Sequence, residues 1–221
     1  MPARALPETD RTALRRKRER GDRTLETVYA VLDEGLLCHV GLTTEDGPRV
    51  VPMAYTRVGD HLYLHGAPAN ATLRALAEGV EACVTVTLLD GLVLARSAFH
   101  HSMNYRSVML FGRATRVADE GEQREAAAAL LDHMAPGRSA DARPPSGSEL
   151  RAVLIVRFPI DEGSAKVRTG GPIEEPEDLT LPVWAGVVPF RLVADPPVPD
   201  PDLPVGVEVP DYARAYPDRR G

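Results

Sequence analysis

The stretch LLCHVGLTTEDGPRVVPMAYTRVGDHLYLHG, Leu36 to Gly66, constrains the fold more than any other part of the chain. It holds three short apolar runs divided by Asp46-Gly47 and Gly59-Asp60, dipeptides that tight hairpins use. Pro52 falls inside the second run and places that strand at an edge or on a bulge, because proline cannot donate to a ladder. EACVTVTLL and LVLARSAF follow as two strands about a further turn at Asp90-Gly91. YRSVMLFGRATRVA reads as a long strand and LRAVLIVRFPI as the last strong one.

Helical spacing is confined to three places. Leu25, Val28, Val31 and Leu32 recur at helical intervals between Thr24 and Glu34, with Gly35 as a stop. APANATLRALAEG has Asn70 near its start and Gly79 at its end, and GEQREAAAALLDHM is an Ala-rich helix. APGRSADARPPSGSE reads as a flexible loop, and proline and glycine dominate from Gly170 onward. The expectation is a mainly β chain, a barrel of six to seven antiparallel strands with short helices. Residues 1–23 form a polar arm with a solvated, arginine-rich stretch, residues 24–190 the barrel domain, and residues 191–221 a Pro-rich tail. The open edges of such a barrel favour a homodimer.

Composition narrows the partners. The formal net charge of −6 favours neither nucleic acid nor an anionic membrane. No apolar run approaches the roughly 20 residues of a membrane span. The N-terminus lacks the apolar centre of a secretory signal, so a cytoplasmic location is expected. Cys38 and Cys83 sit in apolar runs and read as reduced core thiols.

The chemistry concentrates in SAFHHSMNYRSVMLFGRA, Ser97 to Ala114. There is no Gly-x-Ser-x-Gly, and no acid and base are placed for Ser97, Ser102 or Ser107. His100 and His101 are adjacent, so on a strand they point to opposite faces and grip one ion poorly; no metal site is expected. HGAPANATLRAL ends a strand and opens a helix near Asn70, with Thr72 and Arg74 within a turn, an arrangement that can cradle a phosphate.

Together, PMAYTRVGDHLYLHGAPANATLRAL, NYRSVMLFGRATRV and LPVWAGVVP resemble the pyridoxamine 5′-phosphate oxidase-like flavoproteins of the FMN-binding split-barrel fold. The branch most similar is that of the flavin-nucleotide-binding proteins and nitroimidazole-resistance reductases, over residues from about 24 to about 190. The resemblance implies a homodimer with FMN at the subunit interface. Pro52, Met53, Ala54 and Tyr55 would run along the isoalloxazine edge, with His65 and Gly66 beside the ribityl chain. Asn70, Ala71 and Thr72 would form the phosphate loop. Ser107 would reach the cofactor from the partner subunit, and Trp184 would approach it from the C-terminal segment.

Ala71-Thr72 replaces the Arg-Lys pair of the biosynthetic oxidases, so charge neutralisation falls to Arg74, Arg106 or the Lys166 and Arg168 pair. Tyr55 stands where those oxidases have a lysine, which argues against the vitamin B6 reaction. The implied activity is hydride transfer from NADH or NADPH through FMN to a small organic molecule: a nitroaromatic, a quinone or a biosynthetic intermediate. His65 is the first choice of proton donor and Tyr55 the second. No Gly-x-Gly-x-x-Gly is present, so a nicotinamide would stack directly on the flavin. Deazaflavin and haem are the alternative cofactors, and the alternative function is a non-catalytic split-barrel dimer that stores or senses FMN, or binds haem with His65, His100 or His101 as axial ligand.

Overall fold

The computed structural model describes residues 4–216. Its centre is the meander expected from Leu36–Gly66: β2 (Leu37–Thr44), β3 (Gly47–Val58) and β4 (His61–Gly66). The second expected hairpin turns at Gly59-Asp60, while the first turns one residue earlier than expected, at Glu45-Asp46, with Gly47 opening β3 opposite Thr44. β3 pairs with β2 up to Ala54 and with β4 only from Tyr55 onward, so Pro52 has a partner strand on one side alone. The missing N–H of proline therefore costs no ladder bond on that open side.

Among the described residues the sheet has ten strands rather than six or seven. β5 (Glu81–Leu94), β6 (Ser102–Arg113), β8 (Leu154–Pro159) and β9 (Gly163–Arg168) complete the barrel; β1 (Gly21–Asp22), β7 (Thr115–Arg116) and β10 (Gly186–Pro189) are short additions. The order is β1-β9-β6-β5-β2-β3-β4-β8-β7, with β10 also on β5, and every pair is antiparallel. The turn expected at Asp90-Gly91 is absent. β5 runs straight through as one strand, and the register against β6 shifts there in a bulge. A Cβ on Gly91 would lie 2.7 Å from the Val188 carbonyl oxygen, so glycine serves the approach of β10 rather than a reversal.

Strand alternation sends Val40, Leu62, Leu64, Val84, Val86, Val108, Leu110 and Phe158 into one interior cluster. Helix α1 (Leu25–Glu34) plugs the barrel with Val28, Val31 and Leu32, each at most 1% exposed. Thr24 caps α1 by accepting from the Thr27 amide. Each such side chain contributes about 1.5–3 kcal/mol by leaving water. Gly35 ends the helix where nothing larger fits: a Cβ would meet Val86 Cγ1 at 2.5 Å and the Tyr55 hydroxyl at 2.8 Å. Gly35→Ala should lower stability by about 1–3 kcal/mol in chemical unfolding, with the dimension of the transition unchanged.

The N-terminal arm packs rather than floats. Leu6 is 6% exposed, Ala5 bridges Thr24, and Arg11 is ion-paired to Glu81 and Glu162. Arg15 to Arg18 remain exposed. The segment read as a flexible loop holds two helical turns, α4 (Arg138–Asp141) and α5 (Gly147–Arg151), after the Ala-rich α3 (Glu120–Met134). Ser146 and Glu149 close a capping box at the start of α5, local chemistry that outweighs the flanking prolines. Cys38 and Cys83 are free thiols, Cys38 buried and pushed up to about 12 by desolvation, Cys83 half-buried. Among the described residues no helix is long and apolar enough to cross a membrane.

Candidate functional site

Alternation on β4 decides where its chemistry points. Leu62 and Leu64 fill the barrel, so Tyr63 and His65 stand on the outer face, beneath α3. Ile155 of β8 and Thr56 of β3 extend that face, and the Thr56 hydroxyl donates to the Ala129 carbonyl at 3.2 Å, tethering α3 to the sheet. The helix turns Ala126, Ala127, Leu130 and Leu131 toward the strands at helical spacing. Alanine at 126 and 127 leaves space where longer side chains would close it. A cleft of about 310 Å³ results, completed by Leu150 of α5 and the preceding loop.

The cleft wall is apolar except at His65 and the rim. Rim charges are neutralised: Arg143 pairs with Glu149 at 2.7 Å, and Glu122 accepts from Tyr63 at 2.9 Å and Arg157 at 3.1 Å. Burial and the Glu122 carboxylate push the Tyr63 hydroxyl up to about 12, so it stays a neutral donor. His65 differs. Its Nδ1 is sealed from water and has no hydrogen-bond partner among the described residues, and desolvation holds the imidazole pKa below its ordinary 6.5. Leaving such an atom unpaired costs about 1–3 kcal/mol. A neutral imidazole on an apolar wall can ligate a metal or bond to a ligand that brings its own polar atom. Among the described residues no three His, Cys, Asp or Glu side chains gather to hold a bare ion. A metal at His65 would have to arrive with other ligands of its own.

The remaining expected residues divide between two other surfaces. Pro52 is exposed and Ala54 half-buried on the outer face of β3, beside His39 and Leu37 of β2. Ser107 lies on the same face further across the sheet, its hydroxyl donating to the Lys166 carbonyl at 3.4 Å. Met53 and Tyr55 point the other way. Met53 is 7% exposed, and Tyr55 is fully buried with its hydroxyl donated to the Leu32 carbonyl at 2.6 Å. Tyr55 is thus a core strut with no access to a substrate, and the two expected proton donors lie on opposite faces of the sheet.

Gly66 ends β4, and Asn70 caps α2 (Ala71–Ala77), its Oδ1 accepting from the Leu73 amide at 3.1 Å. Thr72 is buried and Ala71 and Arg74 are exposed. Arg106 is not available to neutralise a phosphate, because Asp90 and Glu34 both grip its guanidinium and raise its pKa. Arg168 is 5% exposed and bonds to Asn104 and the carbonyls of Gly170 and Gly171, fixing the turn after β9. Trp184 stands 66% exposed just before β10. His100 is held by Ser97 Oγ at 2.8 Å with Asp178 nearby, and His101 by the Ser97 carbonyl at 3.0 Å, so neither reaches the cleft.

Sequence reasoning missed the cleft itself. The signal was present as Ser146-Gly-Ser-Glu149, a capping-box pattern that marks α5.

A family profile described as Pyridoxamine 5′-phosphate oxidase matches residues 24–167. The flavocytochrome Anf3 from Azotobacter vinelandii is 41% identical with a TM-score of 0.88, covering 94% of this chain and 97% of its own. The FAD and haem binding protein from Mycobacterium smegmatis is 38% identical with a TM-score of 0.85, covering 89% and 96%. A putative 5-nitroimidazole antibiotic resistance protein from Bacteroides thetaiotaomicron is 27% identical with a TM-score of 0.56, covering 66% and 86%. No curated protein matches the chain closely.

Proposed function

The chain belongs to the pyridoxamine 5′-phosphate oxidase family, and from that premise we propose that it is a redox protein that binds a flavin and a haem, with the haem in the α3 cleft. The observation that carries this reading is His65, a neutral imidazole with a sealed, unpartnered nitrogen on the wall of an apolar cleft. Haem would fit that donor set: it brings ring nitrogens of its own and a flat apolar body, and would take from the protein one imidazole and a dry wall. His65 would supply the imidazole. Ala126, Ala127, Leu130 and Ile155 would supply the wall and exclude water. Two relatives that share 41% and 38% identity with the chain point the same way, one being a flavocytochrome and the other an FAD and haem binding protein.

The flavin belongs on the outer face of β3, where Pro52 and Ala54 offer exposed backbone and apolar surface. A homodimer covers that face: Leu37, Val50 and Met109 stand 50%, 68% and 43% exposed on it. The sequence implies FMN; the likeness to the Mycobacterium smegmatis protein favours FAD. When bound, the flavin supplies two-electron exchange with a nicotinamide or organic molecule and haem supplies one-electron chemistry at iron.

The absorbance spectrum of the purified protein tests this. The expected result is a flavin band together with a sharp Soret band, and a flavin that chromatographs as FAD after extraction. A flavin without haem, even after haem is added, would return the chain to the second reading, a flavin-dependent reductase of nitroaromatics or quinones. That reading draws on the Bacteroides thetaiotaomicron likeness. No uptake of either group would overturn both.

A further inference from the structure

The outer face of the sheet runs on past Pro52 and Ala54. Register carries one row of side chains across it, from Pro52 of β3 to His39 of β2, Thr85 of β5, Met109 of β6 and Ser164 of β9. That row spans roughly 19 Å at about 4.8 Å between neighbouring strands. At its far end the N-terminal arm folds over the sheet edge, where Gly21 of β1 pairs with Lys166 of β9. Between arm and sheet lies a second cleft of about 320 Å³, lined by Thr12, Arg15, Arg18, Gly21, Arg23 and Ser164, with Glu8 and Asp22.

The acids of this second cleft are engaged, while Arg15 and Arg18 are not. Glu8 is paired with Arg23 at 2.5 Å, and the Asp22 carboxylate accepts from the Thr24 amide at one oxygen and the Thr27 hydroxyl at the other. Arg15 and Arg18 are exposed and have no carboxylate partner among the described residues. The Arg23 Nε is sealed from water and has no hydrogen-bond partner among the described residues.

Further unpaired cations frame the cleft. Lys17, at a left-handed φ of 57°, opens the short helical turn Arg18–Arg20, which packs on β9. Between Arg15 and Arg20 only Glu19 is acidic. Lys166 is half-buried on β9 and has no acid partner among the described residues. Burial, and then the charge of Arg20, pulls the Arg168 guanidinium below its ordinary range, and no carboxylate pairs with either arginine among the described residues. Like charges held together without a counter-ion raise the local potential and draw an anion. Guanidinium forks match the oxygens of phosphate.

A ligand whose ring rests on Pro52 reaches this cleft only through an extended chain, and the charges at the end of the row suit phosphate. We propose that the cleft between the arm and Ser164 binds the diphosphate of a dinucleotide, with Arg15 and Arg18 as its phosphate ligands. The proposal deepens the reading above and rests on its placement of the flavin on β3. Two sources share this chemistry: the diphosphate of FAD itself, and that of a nicotinamide dinucleotide that meets the flavin. FMN has no diphosphate and leaves the cleft unfilled.

Flavin titration of the full-length chain, followed by quenching of flavin fluorescence with FAD and separately with FMN, tests it in the Arg15→Ala, Arg18→Ala double variant. Both side chains are exposed, so unfolding in urea should match the wild type. Arg116→Ala with Arg151→Ala is the charge-matched control, removing two exposed arginines that have no acid partner among the described residues. The expected result is FAD affinity weakened about tenfold or more and FMN affinity held within about twofold, in the first variant alone. In parallel, NAD⁺ and NADP⁺ are measured against the FMN-loaded chain by equilibrium dialysis. A tenfold loss there with FAD unchanged supports the cleft and assigns it to the nicotinamide dinucleotide. Equal losses for FMN and FAD, equal losses in the control, or no loss for any dinucleotide overturns the proposal and leaves the flavin on β3 standing. A wild-type chain that takes up neither flavin overturns that placement and the proposal together.

Discussion

His65→Ala should abolish the Soret band of the purified protein while leaving its flavin content and its cooperative unfolding intact. The cleft offers haem one nitrogen ligand, and an alanine at 65 offers none. Loss of an axial base is a loss of the site rather than a weakening, since apolar walls alone do not fix the iron. The barrel is not at stake. His65 stands on the outer face of β4, and the interior side chains of that strand, Leu62 and Leu64, are untouched. His100→Ala is the matched control, because His100 is engaged with Ser97 and the 174–178 segment and should leave the spectrum unchanged. A Soret band of normal intensity in the His65 variant would remove the haem from this cleft.

The same residue sets a pH dependence. Protonation removes the lone pair that a ligand needs, and burial depresses the imidazole pKa below 6.5. Haem retention should therefore be complete at neutral pH, persist through 6.5, and fall only as pH drops past the lowered value. In the haem-free chain the unfolded state takes up a proton near 6.5 that the folded state refuses until lower pH. Stability then falls with pH across that window. His65→Ala should flatten that slope.

Phe158→Ala should cost about 3–5 kcal/mol and lower the melting temperature by about 10 °C. Phe158 lies on β8 with its ring fully enclosed by the barrel. A Cβ on Gly112 of the adjacent wall would sit 3.4 Å from the ring, so the cavity left by alanine is bounded by backbone that cannot follow the missing atoms inward. A loss below about 1 kcal/mol in urea would mean that the barrel collapses around the deletion, and that its interior is less closely packed than the structure has it.

Local chemistry made the meander legible. Asp46-Gly47 and Gly59-Asp60 sit between alternating runs, and Thr24, Asn70 and Gly35 mark helix ends by side-chain and steric effects confined to a few neighbours. What failed was decided at long range. Asp90-Gly91 carries the same letters as a hairpin turn, yet β10 arrives from almost a hundred residues downstream to pair with β5, and the dipeptide becomes a bulge. β9 is short, and nothing in SAKVRTGG distinguishes it until β6 lies alongside.

The site shows the same division. Period two separates Met53 and Tyr55 from Pro52 and Ala54, so the four residues of one motif cannot all face one ligand. Arg106 looked free because its partners, Glu34 and Asp90, are remote in sequence or were assigned to a turn. His65 stood out as a histidine at a strand end. Its surroundings depend on α3 and α5, and one of those helices was hidden in a proline-rich segment.

β3 changes partner in mid-course, serving β2 along its first part and β4 along its last four residues. The barrel's two ladders thus share a single length of backbone and meet at the Ala54–Tyr55 peptide. Neither half can peel away without breaking the strand alignment of the other, so the wall that carries His65 and the wall that carries Pro52 melt as one unit. A disturbance of either wall is passed to the other along covalent chain rather than across packed side chains.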